Sequence, residues 1–323
     1  MNGQPNRTAA VSTHSQVAHH VVVLDDGHRV GVSVVGQGVP LVFQHGVAMD
    51  RRTYLQLLTR LAESGFLVIA LDAPGHGDTV PLPEPRTFSG MSALTIRALD
   101  ALGIRRAVFM GHSMGGRITI ELAAAHPHRA LAAVLIDAAA GTTFDRKALR
   151  ANAAPHTIAW GLAAALGDAA LEQLTLRGRQ HLRYAHLIGQ TAWRTLRFPA
   201  EPLWAVRAIA AASDSSEHLR ALASRGVPTV VVHARHDLIV PWQSALDMAH
   251  LAQATLREVP NASHGWILAD PDRGAAVMTE LRNNELRRAL EGTEHTVGAD
   301  SLIAADAPIH HILAGRHTST ESA

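Results

Sequence analysis

The chain holds 323 residues, 47% of them hydrophobic, enough to bury a large core in one or two domains. With 29 Lys and Arg against 28 Asp and Glu, no global charge draws it toward nucleic acid or an anionic membrane. Cysteine is absent, which excludes disulfides, thiol catalysis and thiolate metal sites, and fits a reducing cytoplasm as the expected location.

Met1 to His20 is polar and has no apolar h-region, so no cleaved secretory signal is expected, and residues 1–18 read as a disordered N-terminal segment. The densest apolar stretch, Ile158 to Leu166, is too short to span a bilayer. Val21–Leu24 and Val30–Val35 are β-branched runs joined by Asp25-Asp26-Gly27, a hairpin signal. Short continuous apolar runs follow at Pro40–Phe43, Phe66–Leu71, Ala107–Met110, Ala132–Ile136, Thr229–His233 and Leu256–Val259. Runs of that kind suit strands covered on both faces, as parallel sheets require.

Helical spacing fills the gaps. Thr53–Leu61 places Tyr54, Leu57, Leu58 and Leu61 on one stripe, and Ser89–Leu102 and Gly115–Ala125 read alike. Strands alternating with helices predict a doubly wound α/β sheet opened by an antiparallel hairpin. From residue 142 to 226 the pattern is helical, rich in Ala and Leu, and without a convincing strand, which predicts a cap or lid inserted between two sheet strands. The core is then 19–141 and 227–291, with a last helix from about Pro271 to Leu290. Beyond Glu291 the chain is small and polar, and residues 292–323 are expected to be a poorly ordered tail.

Ala107–Gly116 runs a buried strand directly into Gly111-His112-Ser113-Met114-Gly115 and then a helix. A sharp strand-to-helix turn strains the serine backbone and pushes its hydroxyl out at the sheet's C-terminal edge, and only glycine fits the flanking positions. Ser113 is therefore the candidate nucleophile. No phosphate-cradle motif is present here. A serine hydroxyl needs a base. Of 21 histidines, His264 follows the last predicted strand in Asn261–Trp266 and shares Ser113's sheet edge. Asp237, at the end of Val232–Asp237, is the candidate acid in the order Ser, Asp, His, and Asp137 after the preceding strand is its rival. His233, His236 and Asp237 look superficially like metal ligands, but positions 233 and 236 of a strand point to opposite faces, so no metal is expected. Oxyanion donors are expected from the backbone amides of Met114 and of Val47, which follows His45-Gly46 after the third strand. A histidine base predicts activity rising with pH through about 6.5.

Gln44-His45-Gly46, the Asp72–Asp78 loop, Gly111–Gly116 and the Asp237 and His264 loops together resemble the α/β-hydrolase superfamily, in its serine esterase and lipase-like branch, over about Val21 to Leu290. The resemblance implies a mostly parallel eight-stranded sheet flanked by helices, with a helical cap inserted after strand six. It also implies triad roles for Ser113, Asp237 and His264, oxyanion donation by Val47 and Met114, and supporting roles for His45, Gly46, Gly111, His112 and Gly115. Serine at the nucleophile position sets the chain apart from the haloalkane dehalogenase and epoxide hydrolase branches, which carry aspartate there. Trp160, Trp193 and Trp204 are candidates to line an apolar pocket, although packing the cap helices explains them as well. Arginines 177, 179, 183, 194 and 197 read as a solvated basic face, or as a contact for an anionic group. The expected partner is a small-molecule ester cleaved without a cofactor, with oligomeric state left open. Lactone, C–C bond or perhydrolase chemistry on the same triad is the alternative, and a non-catalytic binding protein or receptor the second.

Overall fold

The computed structural model describes residues 16–152, 156–197, 207–209, 212, 214–291, 293 and 301–313. Apolar runs become strands here because both of their faces are covered. The strands are β1 (Ala18–Val23), β2 (Arg29–Gly36), β3 (Val39–Gln44), β4 (Phe66–Leu71), β5 (Ala107–His112), β6 (Ala130–Ile136), β7 (Thr229–Ala234) and β8 (Thr255–Val259). Every residue of β3 through β7 is buried. They form one eight-stranded sheet in the order β1-β2-β4-β3-β5-β6-β7-β8, in which β2 runs antiparallel to both of its neighbours, β1 and β4, and every other pair is parallel. This is the α/β-hydrolase architecture. Gly27 closes the β1–β2 hairpin at φ 78, a left-handed conformation that glycine adopts without strain.

One face of the sheet is covered by α2 (Phe88–Ala101), α3 (Met114–Ala125), α7 (Ser216–Ser224) and α8 (Trp242–Leu251), the other by α1 (Leu55–Glu63) and α9 (Pro271–Asn283). Between β6 and β7 run α4 (Thr142–Asn152), α5 (His156–Thr175) and α6 (Arg179–Arg197), followed by α7. The order in which strands are added reverses about β3, which lies between the parallel strands β4 and β5. The C-terminal ends of β3 and β5 therefore sit side by side, Gln44 against Gly111, where open α/β sheets leave a crevice.

Three sequence expectations need correction. Ala18 already pairs with Val34, so order begins within the segment taken as disordered, and residues 1–15 lie outside the described residues. The last helix does not run unbroken to Leu290. It stops at Asn283, and Asn284 (φ −118, ψ −89) turns its side-chain amide back to the Glu280 carbonyl before a helical turn at Arg287–Leu290. Asparagine competes with the helix in this way because its side chain satisfies backbone groups locally.

The tail expected to be poorly ordered is packed over Ser301–Leu313. Leu302, Ala307, Ile309 and Ile312 are buried, Leu302 O accepts from Arg105 N at 2.8 Å, and Ile303 bridges to Ile104. α10 (Pro308–Leu313) lies against β1 and β2. Four apolar side chains scattered through a polar tail suffice to dock it, a pattern that average composition conceals. Residues 294–300 and 314–323 of that tail lie outside the described residues.

Candidate active site

Each candidate residue follows the C-terminal end of a parallel strand: His45 after β3, Ser113 after β5, Asp137 after β6, Asp237 after β7 and His264 after β8. Ser113 sits at φ 56, ψ −118, a left-handed conformation that costs a non-glycine residue about 1–3 kcal/mol. Its amide donates to Ile136 O at 2.9 Å, and its carbonyl accepts from Gly116, Arg117 and Ala139, so the turn is over-determined by its neighbours.

The flanking glycines are sterically required. A Cβ on Gly111 would collide with the Gly115 carbonyl, one on Gly115 with the Gln44 carbonyl, and one on Gly116 with Ala138. Backbone cannot yield there as a flexible side chain would. Gly115→Ala is expected to destabilise the protein by about 2–3 kcal/mol, the cost of overpacking a tight core, read as a fall in Tm. An unchanged Tm would show that the turn tolerates a Cβ.

His264 and Asp237 meet. His264 Nδ1 donates to Asp237 Oδ2 at 2.7 Å, while Asp237 Oδ1 accepts from the Ile239 and Val240 amides at 2.8 and 2.7 Å. That bond fixes the proton on Nδ1 and leaves Nε2 as the basic nitrogen. Burial alone would lower the His264 pKa, but the charge and hydrogen bond of Asp237, with Asp137 and Asp168 behind, raise it to about 9. Burial pushes the Asp237 carboxyl the other way, yet the facing imidazole and the Val240 amide hold it below the usual carboxylate range. The ordinary histidine value expected from sequence thus gives way to a more alkaline one.

The rival acid is engaged elsewhere. Asp137 is fully buried at φ 43, and its two oxygens accept from Ala234 N and Trp266 Nε1, both at 2.7 Å. Burial first, and the nearby Asp237 charge second, push its pKa well up. Of the three residues weighed as ligands, His233 is buried on β7, whereas His236 is exposed because the strand ends at Ala234 and residue 236 lies in the turn beyond it. Among the described residues, Asp137, His233 and Asp237 bring one donor atom each within 4.8 Å. The aspartate oxygens accept from Ala234 N, Trp266 Nε1 and His264 Nδ1, and His233 Nε2 donates to Val240 O at 3.0 Å, while His233 Nδ1 has no hydrogen-bond partner among the described residues.

A relay that sequence reading missed joins the loops. Gly46 N donates to Tyr54 Oη at 3.2 Å, Tyr54 Oη lies 2.8 Å from His112 Nδ1, and His112 Nε2 donates to His264 O at 3.1 Å. Burial, then the neighbouring His264, lower the His112 pKa to about 3, so the ring is neutral and its Nδ1 accepts from Tyr54. Helical spacing marks Tyr54 only as a core residue; nothing local distinguishes it from Leu57.

His45 orients the loop after β3. Ala73 N donates to its Nε2 at 2.8 Å, so its Nδ1 carries the proton and donates to Gly46 O at 2.8 Å. In a trans peptide the next N–H points away from that carbonyl, so pinning Gly46 O aims the Val47 amide the opposite way. A Cβ on Gly46 would lie 3.4 Å from Ser113 Cβ, and Val47 packs against the cluster that holds Met114. Among the described residues neither the Val47 nor the Met114 amide finds an acceptor. Met114 N is one of the free N–H groups that open α3.

The tryptophan expectations fare differently. Trp193 is 68% exposed, because the buried stripe of α6 is led by Tyr184 and Ile188 and residue 193 falls off it. The Trp160 side chain and Trp204 lie outside the described residues. The basic face is also corrected in part: Arg183 bonds to Gln56 and to the carbonyls of Leu268 and Ala269, and Arg194 pairs with Asp50, so two of the five arginines fasten α6 to the sheet side. No described helix is long and apolar enough to cross a membrane.

Residues 39–271 match the alpha/beta hydrolase fold family. A protein of Mycobacterium phage D29 named "Putative non-heme haloperoxidase" is 43% identical over 265 residues, 80% of this chain and 92% of its own. Among solved structures, a thermophilic esterase of Thermogutta terrifontis aligns with a TM-score of 0.63 at 21% identity, covering 84% of this chain and 98% of its own. The enol-lactonase of Burkholderia xenovorans LB400 aligns at 0.61 and 22%, covering 83% and 100%.

Proposed function

The chain belongs to the alpha/beta hydrolase fold family, and from that premise we propose that it is a serine hydrolase cleaving carboxylic esters of small or medium apolar acids. The observation that carries this reading is the buried His264–Asp237 pair, 2.7 Å apart, at the same sheet edge as a backbone-strained Ser113. His264 is bonded through its carbonyl to His112, the residue before Ser113, and the two rings lie 4.9 Å apart.

In the proposed reaction Ser113 Oγ attacks the ester carbonyl while His264 Nε2 takes its proton. Asp237 stabilises the imidazolium, and the Val47 and Met114 amides receive the oxyanion. The imidazolium returns its proton to the leaving alcohol. Water, deprotonated by the same nitrogen, then releases the acid and restores the serine. In this reading the inserted helices α5 and α6, which reach the His264 loop, shield this edge from bulk water.

The test is labelling of folded protein with a fluorophosphonate, followed by a p-nitrophenyl ester series of increasing acyl length. A single adduct on Ser113 is expected, with turnover highest among short and medium chains; no adduct would end the reading. Because the imidazole must be neutral to accept a proton, and its pKa is raised, kcat/KM is expected to rise with pH toward a midpoint near 9. A profile flat from about pH 5 to 10 would remove His264 as the base, and a plateau reached near pH 7 would show that the acids around it do not raise its pKa.

The name of the phage relative favours a second reading, in which hydrogen peroxide deacylates the enzyme in place of water. The peroxide oxygen bonds to the acyl carbon, the bond to Ser113 Oγ breaks, and a peracid and free serine result. Peracid formed from ester and peroxide, and lost in Ser113→Ala, supports this route; hydrolysis unaffected by peroxide, without peracid, speaks against it.

A further inference from the structure

The loop that carries His264 is held largely by a helix from outside the sheet. Asp168 and Glu172 lie one turn apart on α5 and are both 2% exposed. Asp168 Oδ1 accepts from His264 N at 3.0 Å and from Leu238 N at 3.2 Å, and its Oδ2 accepts from Gly265 N at 3.3 Å. Glu172 Oε2 accepts from Ser263 N at 2.9 Å and from its hydroxyl at 2.8 Å. Three successive amides of the His264 loop and one of the Asp237 loop thus end on two buried carboxylates. Tyr184 of α6 closes the same loop from above, so tightly that a Cβ on Gly265 would strike its hydroxyl.

This bonding goes beyond bracing. A carboxylate that binds Leu238 and His264 together sets the spacing of the two loops whose side chains form the acid–base pair. We propose that Asp168 is a positioning residue for His264: its carboxylate holds the Asp237 and His264 loops in register, so that the base is competent only while α5 is seated on the sheet edge. The proposal rests on the reading of His264 as the base.

The groups facing the His264 ring are Asp237 following β7, Asp137 following β6, His233 on β7, His112 on β5 and Asp168 on α5. Of these only Asp168 comes from outside the sheet. Its negative charge favours the imidazolium, so its removal should let the ring titrate at lower pH. Separation of α5 from the sheet would remove both the register and the charge, which ties base strength to cap closure.

Two variants test this. Asp168→Asn keeps the size and one acceptor but loses the charge; Asp168→Ala loses everything. On a short p-nitrophenyl ester, kcat is expected to fall about tenfold in the first and about a hundredfold in the second, as sub-ångström to ångström misplacement of a base does. KM should change less than about threefold, since no substrate contact is removed. The acidic limb of kcat/KM should move to lower pH in both. A carbon-13 titration of the His264 ring, assigned by the signal lost in His264→Ala, should move the same way and needs no turnover.

Wild-type kcat with an unmoved pH profile and ring titration, accompanied only by a lower Tm, would show that Asp168 merely braces the fold and would overturn the proposal. If Asp168→Ala does not fold, Asp168→Asn decides alone. Failure of the wild-type enzyme to acylate Ser113 would overturn the base assignment and this proposal together, whereas wild-type behaviour confined to the Asp168 variants overturns this one only.

Discussion

Replacing Ser113 with alanine is expected to lower ester hydrolysis by about 10⁵-fold and to abolish fluorophosphonate labelling, with Tm nearly unchanged. The size of the loss follows from the residue's position. Ser113 would be the atom that becomes covalently bound, so nothing in the remaining site can replace it. Residual turnover would come only from the Val47 and Met114 amides and from binding. Stability should hold because the strained turn at φ 56 is secured by backbone bonds to Ile136, Gly116, Arg117 and Ala139, all of which alanine keeps. Activity within tenfold of wild type would show that another group is the nucleophile.

The second large effect separates the two aspartates. Asp237→Asn is expected to lower kcat by about 10⁴-fold. The Ile239 and Val240 amides both point at Oδ1, so an asparagine there would turn its oxygen toward them and its NH2 toward His264. That NH2 would force the Nδ1 position to accept, moving the ring proton to Nε2, where it blocks uptake of the serine proton. Asp137→Asn should behave quite differently. Both Asp137 oxygens receive N–H donors, from Ala234 and Trp266, and asparagine has only one oxygen. One buried donor would be left without a partner, at a cost of about 1–3 kcal/mol in stability, while kcat stays within about tenfold. Kinetics together with thermal melts on the two variants decide the matter. If Asp137→Asn were the inactive one, the acid would sit after β6.

The fold was legible because its signals are local. Phe66–Leu71 coincides with the predicted strand, and β5, β6, β7 and β8 begin or end within two residues of the apolar runs that announce them. A strand buried on both faces needs an unbroken apolar run, and such runs stand out against amphipathic helices. The candidate serine was legible for a related reason: the collision between Gly115 and the Gln44 carbonyl leaves no side chain possible, so the motif is a steric requirement written in glycines. Asp237 and His264 could be singled out by chain order and strand ends.

What tertiary structure alone decided is everything set by residues distant in sequence. Asp168 reads as one acid on an Ala-rich helix, and only the folded chain places it on amides 70 and 96 positions away, at Leu238 and His264. Tyr54 reads as core and becomes the link between Gly46 and His112. The alkaline shift of His264 comes from three acids on three separate elements. The tail reads as polar, yet Leu302, Ile309 and Ile312 find the core. The sequence by itself determined the sheet, the order of the strands along the chain and the three strand ends that bear Ser113, Asp237 and His264, because local sterics and burial periodicity specify them. The protonation states, the register between the Asp237 and His264 loops and the grip of α5 upon them required the assembled molecule, because hydrogen bonds and electrostatic fields depend on distances through space that spacing along the chain does not encode.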